Sequence, residues 1–167
     1  MKNFLIFFVT APAWKIFSLL MLPILLFFIT SNASASMFIS KTLLLFGLWT
    51  TLLWIYSIGV LVYEKYSSFL TIPLMRFKVC LTYDFVYSVL FIYGIIPFDY
   101  LMPFHLISFA CKIYALYFVS KLIVIVERRS DVKFQDYFGT IIAAWFYFIG
   151  IWLLQPRINK IFLSNDI

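Results

Sequence analysis

Residues 103–129 read PFHLISFACKIYALYFVSKLIVIVERR, and this stretch decides how the rest of the chain is interpreted. Its apolar part, residues 104–126, has 23 residues, enough for an α helix to cross the hydrocarbon core of a bilayer, which is about 30 Å thick. Inside it lie His105, Lys112 and Lys121. A lysine near the bilayer centre costs roughly 2.5–3.5 kcal/mol on insertion scales, so it tends to face protein or water and to have a partner.

The two lysines of this stretch are not equivalent. At about 100° per residue, Ser108 and Lys112 fall on the same helix face as His105. Lys121 lies about half a turn round from Lys112 and close to the charged end that begins at Glu127, so its ammonium group can extend to the lipid headgroups. Lys112 is therefore the residue that needs a partner inside the membrane.

Composition and charge indicate a membrane protein. The chain of 167 residues is 65% hydrophobic and 12% charged, and its mean hydropathy is +1.03. A soluble domain could not bury that much apolar surface. The net charge is +6, but the basic residues cluster at the ends of apolar runs. We therefore interpret them as orientation signals and anchors in the lipid headgroups, and expect membrane lipid rather than nucleic acid as the partner.

The apolar runs predict an all-α fold, a polytopic integral membrane helical bundle that forms one transmembrane domain over residues 1–167. Five transmembrane helices are expected, at about 14–30, 42–63, 79–96, 104–126 and 138–154. Residues 31–36 also resemble a signal-peptide cleavage site, and cleavage there would leave four helices. Residues 69–75 are apolar but too short to cross, so they either lie flat in the headgroup region or prolong the third helix.

The remaining segments connect or end these helices. Residues 1–14 are expected to form an interfacial lead-in, and Pro23 to kink the first helix. Residues 97–103 form a tight link that makes spans three and four an antiparallel hairpin. Residues 155–160, which include Pro156, are expected to stop the last helix.

The distribution of Lys and Arg predicts the orientation. In the five-helix arrangement, eight of these residues fall on the side of the amino terminus and three on the other side. The basic side is cytoplasmic in the plasma or inner membrane, so we expect the amino terminus inside and the carboxyl terminus outside. The residues expected to set orientation or to hold lipid headgroups are Lys65, Arg76, Lys78, Arg128, Arg129 and Lys133.

A polar site is predicted between the third and fourth spans. Asp84 is the acidic residue well inside an apolar run, and folding the hairpin about residue 100 brings Lys112 within one helical turn of it. We expect an Asp84–Lys112 pair, with Tyr87 and Ser88 satisfying the remaining donors and acceptors. The complete predicted intramembrane polar site consists of Asp84, Lys112, Tyr87, Ser88, His105 and Ser108.

Three interpretations of this pair remain open. It is a structural ion pair that determines which helix faces which, because buried pairs add specificity more dependably than stability. Alternatively it is a contact point for a partner membrane protein. Thirdly it is a proton or ion relay, since intramembrane carboxylates and lysines commonly mark ion pathways.

No catalytic or metal-binding pattern stands out in the sequence. His105 is interpreted as an interfacial residue, and the two cysteines, Cys80 and Cys111, as separate buried thiols, since neither belongs to a CxxC motif. We expect no metal and no cofactor. In the fifth span, Gly139, Ala143 and Gly150 form a small-residue stripe on which another helix could pack closely.

The sequence favours a protein without enzymatic activity. The first hypothesis is an accessory or structural subunit that acts with partner membrane proteins. The alternative is an oligomeric ion or proton channel, or a small transporter, that uses the intramembrane Asp84–Lys112 pair. A third hypothesis, a membrane-embedded lipid enzyme, would rely on His105 and Asp99.

Overall fold

The computed structural model of the protein describes residues 2–32, 37–70, 72–95 and 97–163, and this part of the chain is all-helical. Most of the predicted cleavage segment, residues 33–36, lies outside the described residues. A short 3-10 turn at Ser67–Phe69 separates the third and fourth α helices. The α helices in the described residues are α1 (Lys2–Thr10), α2 (Ala13–Asn32), α3 (Met37–Lys65), α4 (Leu74–Tyr93), α5 (Phe98–Arg128), α6 (Phe134–Trp145) and α7 (Tyr147–Leu163).

Three of these helices, and not five, are long and apolar enough to cross a membrane. Their candidate spans are Ala13–Ser31, Met37–Lys65 and Tyr100–Arg128, which indicates membrane localisation. The prediction of a third span at 79–96 is wrong because α4 includes residues 74–78 as well, and so has Arg76 and Lys78 in addition to Asp84. The segment 69–75 thus contributes to α4 in part. Helix α4 packs against α3 and α5, and its other face is exposed, with Met75, Val79 and Val86 among the exposed residues.

The predicted fifth span is wrong for a different reason, since the helix breaks at Phe146. The chain reverses there, and Arg157 Nη1 of α7 donates to Thr140 Oγ1 of α6 at 3.2 Å. The two helices therefore form a V-shaped hairpin. With 12 residues, α6 is about 18 Å long, little more than half the thickness of the hydrocarbon core. The hairpin enters the bundle and returns to the end from which it came.

This return places the carboxyl end of α7 beside the amino-terminal part of the chain. Lys65 Nζ, at the end of α3, donates to the carbonyl oxygens of Ile161 and Phe162 at 3.2 and 2.6 Å. Within the described residues, α1 and the end of α7 therefore lie at the same end of the bundle, whereas the sequence predicted the two chain ends on opposite sides of the membrane. Nine of the thirteen Lys and Arg residues lie at this end: Lys15, Lys65, Arg76, Lys78, Arg128, Arg129, Lys133, Arg157 and Lys160.

The lead-in predicted at the amino terminus includes a helix, α1, one face of which is buried. Leu5, Phe8 and Val9 of α1 are buried against the bundle. Gln155 of α7 connects these elements, because its Nε2 donates to the backbone oxygens of Phe8 and Ala11, both at 3.0 Å. Since α7 continues through Pro156 to Leu163, the prediction that residues 155–160 stop the helix is also wrong.

Close helix contacts explain why the bundle packs tightly around α3. A Cβ atom placed on Gly47 would lie 3.6 Å from Cβ of Pro23, so the proline of α2 packs directly against α3. On the other side, a Cβ atom placed on Gly59 would overlap the ring of Phe77 in α4. The approach at Gly59 requires glycine, because a side chain there would push the buried ring of Phe77 away. At Gly47 the nearest atom is Ile24 Cγ1 at 3.0 Å, so the contact is tight but a small shift of that side chain would relieve it.

The α4–α5 link is shorter than predicted. Helix α4 ends at Gly94 in the left-handed region (φ 65°), and α5 begins at Phe98. Glycine adopts this conformation without strain, which is the usual way for a helix to terminate. Because the turn comes earlier than residue 100, the register between α4 and α5 differs from the predicted one, and this determines which polar groups meet.

Candidate functional site: a polar cluster at an intramembrane cavity

Asp84 and Lys112 lie together between α4 and α5. Lys112 Nζ is 3.0 Å from Asp84 Oδ1, and Ser108 Oγ donates to the same carboxylate oxygen at 2.5 Å. Lys112 Nζ also donates to Ser108 Oγ, so the three side chains form a closed triangle. The positions on α5 are one helical turn apart, which allows both side chains to reach one carboxylate.

Tyr87 and Ser88 do not bind Asp84, contrary to expectation. The Tyr87 hydroxyl is 2.6 Å from His105 Nδ1, and Ser88 Oγ accepts a hydrogen bond from Trp49 Nε1 of α3 at 2.9 Å. The register explains the difference. Residues 84 and 108, like 87 and 105, are placed symmetrically about residue 96, because the helices turn four residues before the predicted point.

The second oxygen of Asp84 has no hydrogen-bond partner among the described residues. The Asp84 side chain is fully shielded, with 0% exposure, whereas the Lys112 side chain is 47% exposed. An unsatisfied buried polar group costs about 1–3 kcal/mol, and more when it is charged. Among the described residues, Asp84 is thus hydrogen-bonded through Oδ1 alone. Helix packing gives no reason for burying Oδ2 without a partner.

A cavity of about 330 Å³ lies beside this cluster. Its walls come from α3, α4 and α5, and its remaining side is the tip of the α6–α7 hairpin, where Trp145 and Tyr147 contribute. The hairpin reaches only partway into the bundle, so it leaves this space above its tip. Apart from the polar cluster, the wall is largely aliphatic and aromatic, including Leu48, Leu52 and Phe91.

Lys112 and His105 offer hydrogen bonds to this cavity, and both line it. The ammonium group of Lys112 has three hydrogens, of which Asp84 and Ser108 accept two in the described structure. His105 is exposed and uses Nδ1 in its contact with Tyr87. Asp84 also borders the cavity, but its side chain is shielded from solvent, so Lys112 and His105 are the more accessible polar groups.

The remaining site predictions have mixed outcomes. Lys121 does point away from the cluster and lies near Tyr117, with Nζ 3.3 Å from the hydroxyl. A Cβ atom placed on Gly139 would have nothing within 4 Å, while Gly150 packs against Ala143 itself. The predicted stripe is therefore not one continuous face, because the bend at Phe146 interrupts the helix.

The charged residues at the basic end interact partly with one another. Arg128 Nη1 is 2.6 Å from Asp136 Oδ1, and the backbone N–H of Lys133 donates to Asp136 Oδ2 at 2.8 Å. Both hydrogen bonds lower the pKa of Asp136 below its usual value, and the bond from Lys133 has the larger effect. Lys65 caps the carboxyl end of α7, which is a structural role beside its predicted one.

The two cysteines are neighbours, which the sequence did not suggest. Both are free and half-buried, and Cys111 on α5 lies near Cys80 on α4. The register of the hairpin explains this, since the two positions are nearly symmetric about residue 96. In the described residues no group of three His, Cys, Asp or Glu side chains has an arrangement suited to a metal ion.

Sequence reasoning missed Gln155 completely. It is fully buried, and its Oε1 accepts a hydrogen bond from Trp54 Nε1 of α3 at 3.0 Å. One amide thus joins α1, α3 and α7. A glutamine next to a proline resembles a helix end, and the signal that could have revealed its role is the long apolar run that precedes it.

Comparison of the chain with known proteins gives no assignment: no family model, no curated protein sequence and no solved structure matches it.

Proposed function

We propose that this chain is a small integral membrane transport protein in which Asp84 is a proton-binding site and the adjacent cavity is the substrate site. This is the transporter alternative of the sequence analysis, with the cavity inside one chain. Binding sites of membrane transporters are commonly formed near the membrane midplane by interrupted helices, and the α6–α7 hairpin is such an element.

The observation that carries the proposal is that Asp84 Oδ2 has no hydrogen-bond partner among the residues that the structure describes. An ion pair that only determined helix packing would be expected to have both carboxylate oxygens satisfied, because buried polar groups almost always are. A proton on Oδ2 would neutralise the carboxylate and weaken its hold on Lys112. The ammonium group of Lys112, which lines the cavity, would then be free to hydrogen-bond to a substrate there. Proton binding at Asp84 and substrate binding in the cavity are coupled in this way.

The orientation that we propose has both ends of the chain in the cytoplasm. Nine Lys and Arg residues lie at the end shared by α1 and the end of α7, whereas Lys41 lies at the opposite end, near the start of α3. Such an asymmetry favours the basic end on the cytoplasmic side of a plasma or inner membrane. The cavity above the hairpin tip then lies toward the outer half of the bilayer.

Proton flux into liposomes tests this function. The purified full chain is reconstituted with pyranine inside, and a potassium diffusion potential set by valinomycin drives the flux. We expect acidification well above that of empty liposomes, reduced at least tenfold by Asp84→Asn. The matched control is Asp136→Asn, which makes the same chemical change at the basic end and should retain the flux. Flux equal to that of empty liposomes, or unchanged by Asp84→Asn, would exclude the proposal.

The accessory-subunit hypothesis stays a prediction, and a separate experiment addresses it. The chain is extracted from its native membrane in a mild detergent and isolated through an affinity tag. A second membrane protein present at a constant ratio would support the accessory role. Isolation of the chain alone would count against it.

A further inference from the structure

The cavity beside Asp84 has features that specify what it binds. We propose that it binds an uncharged amphiphile whose head carries a carbonyl oxygen and whose tail is apolar. Quinones and glycerol esters share this chemistry. The inference deepens the proposed function by naming its substrate class, and it rests on that function in placing the substrate in this cavity.

The charges of Asp84 and Lys112 argue against an ionic head group on the bound molecule. While Asp84 is ionised, it balances the positive charge of Lys112, 3.0 Å away, and the proposal concerns the molecule bound in that state. An anionic head would leave a net negative charge in a region of low dielectric constant, where uncompensated charge is costly. A cationic head would lie beside the ammonium group of Lys112, and the carboxylate of Asp84, although Asp84 borders the cavity, is already hydrogen-bonded to Lys112 and Ser108. An uncharged head avoids both costs.

Hydrogen bonding favours an acceptor on that head. Lys112 has one ammonium hydrogen that no described residue accepts, and ammonium groups only donate. When the Tyr87 hydroxyl donates to His105 Nδ1, the ring hydrogen of His105 is on Nε2 and is also available. Residues 105 and 112 lie on one helix face, about 10 Å apart along the axis. Both groups therefore offer hydrogens to a carbonyl-bearing head.

The walls suit the rest of such a molecule. Leu48, Leu52 and Leu116 provide aliphatic surface, and Phe91 and Trp145 provide flat aromatic surface. The volume of about 330 Å³ is at the lower end of the range of small-molecule sites, roughly 300–1,000 Å³. The cavity thus accommodates a head and the first part of a tail, and the remainder of the tail would extend into the lipid.

Quenching of tryptophan fluorescence tests the inference, because Trp145 lines the cavity. The full chain in lipid nanodiscs is titrated with decylubiquinone, a quencher with two ring carbonyls. We expect saturable quenching, with an affinity at least tenfold lower in Lys112→Met. The matched control, Lys121→Met, removes a lysine of the same helix that does not line the cavity and should bind normally. His105→Phe is a second variant, expected to weaken binding severalfold, and it is informative if Lys112→Met does not fold.

Competition between ligands shows whether the cavity accepts quinones alone or glycerol esters as well. Displacement of decylubiquinone by dioctanoylglycerol would show that any carbonyl-bearing uncharged head is accepted, whereas failure to displace it would assign the site to quinones. Both outcomes support the inference. Quenching that does not saturate, or displacement by decanoate anion at equal or lower concentration, overturns it. Because no proton gradient is applied, binding without proton flux would refute only the transport proposal, and flux without binding would refute only this inference.

Discussion

Gly150 lies directly against the backbone of Ala143, so that a Cβ atom added to Gly150 would overlap the Ala143 carbonyl oxygen. This contact holds the two arms of the α6–α7 hairpin together just beyond the bend at Phe146. It explains why a run of apolar residues long enough to cross the membrane instead turns back. The cavity above the hairpin tip is a consequence of that contact.

Replacing Gly150 with alanine should therefore destabilise the hairpin. The added methyl group would overlap a backbone atom, which cannot move as a side chain can, and overpacking of this kind costs about 1–3 kcal/mol or more. The control is Gly139→Ala in α6, where nothing lies within 4 Å of the added atom. There alanine should be neutral or stabilising by up to about 1 kcal/mol. The transition midpoint in a dodecyl sulfate titration of the micelle-bound protein measures both, and equal midpoints would contradict the close contact.

Removal of Lys112 should cost more stability than removal of Lys121. Lys112→Met leaves a shielded carboxylate with only Ser108 as a partner, and breaking a buried pair costs about 3–5 kcal/mol. We expect about 2 kcal/mol, because Lys112 is half-exposed. Lys121→Met should cost less than about 1 kcal/mol. The double variant Asp84→Asn, Lys112→Met should recover most of the loss, as measured by the same titration.

The double variant also separates two interpretations of the pair. If Asp84 binds protons in transport, the double variant folds but conducts no protons. A double variant that folds and retains normal proton flux would instead support a purely structural ion pair.

Gln155→Leu should destabilise the bundle by about 2 kcal/mol or more. The substitution leaves Trp54 Nε1 and the carbonyl oxygen of Phe8 without their partner, while that of Ala11 keeps its bond from Asn159. Each unsatisfied buried group costs about 1–3 kcal/mol. Gln135→Leu makes the same change on the exposed side of α6 and should have little effect. Thermal unfolding followed by size-exclusion chromatography compares the two, and equal losses would argue against the Gln155 network.

Labelling of single cysteines should show the two ends of the chain on one side of the membrane. In a variant with Cys80 and Cys111 replaced by alanine, we introduce Lys15→Cys, Lys41→Cys or Lys160→Cys. A membrane-impermeant maleimide applied to intact cells should label the protein with Lys41→Cys alone. The other two should react only after the cells are opened. Labelling of Lys160→Cys from outside would mean that the last two helices cross the membrane as one.

Much of the polar site could be derived from the sequence, because it depends on local spacing. The helical period placed Ser108, Lys112 and His105 on one face, and a short link required α4 and α5 to be antiparallel neighbours. What the sequence could not provide was the register. Helix α5 begins at Phe98, ahead of Pro103. This shift places Tyr87 within hydrogen-bonding distance of His105, and Ser108 within that of Asp84.

The amino-acid sequence by itself determined that the protein is helical and indicated a membrane location, since hydrophobicity and helical period are properties of each segment alone. Only the tertiary structure decided which apolar segments are long and apolar enough to span, how α6 and α7 reverse, and what borders the cavity. The reason is that a reversal such as that at Phe146 depends on what the two arms contact once folded. Neither glycine nor proline marks the bend itself, and the glycine that permits it, Gly150, lies four residues further along the chain.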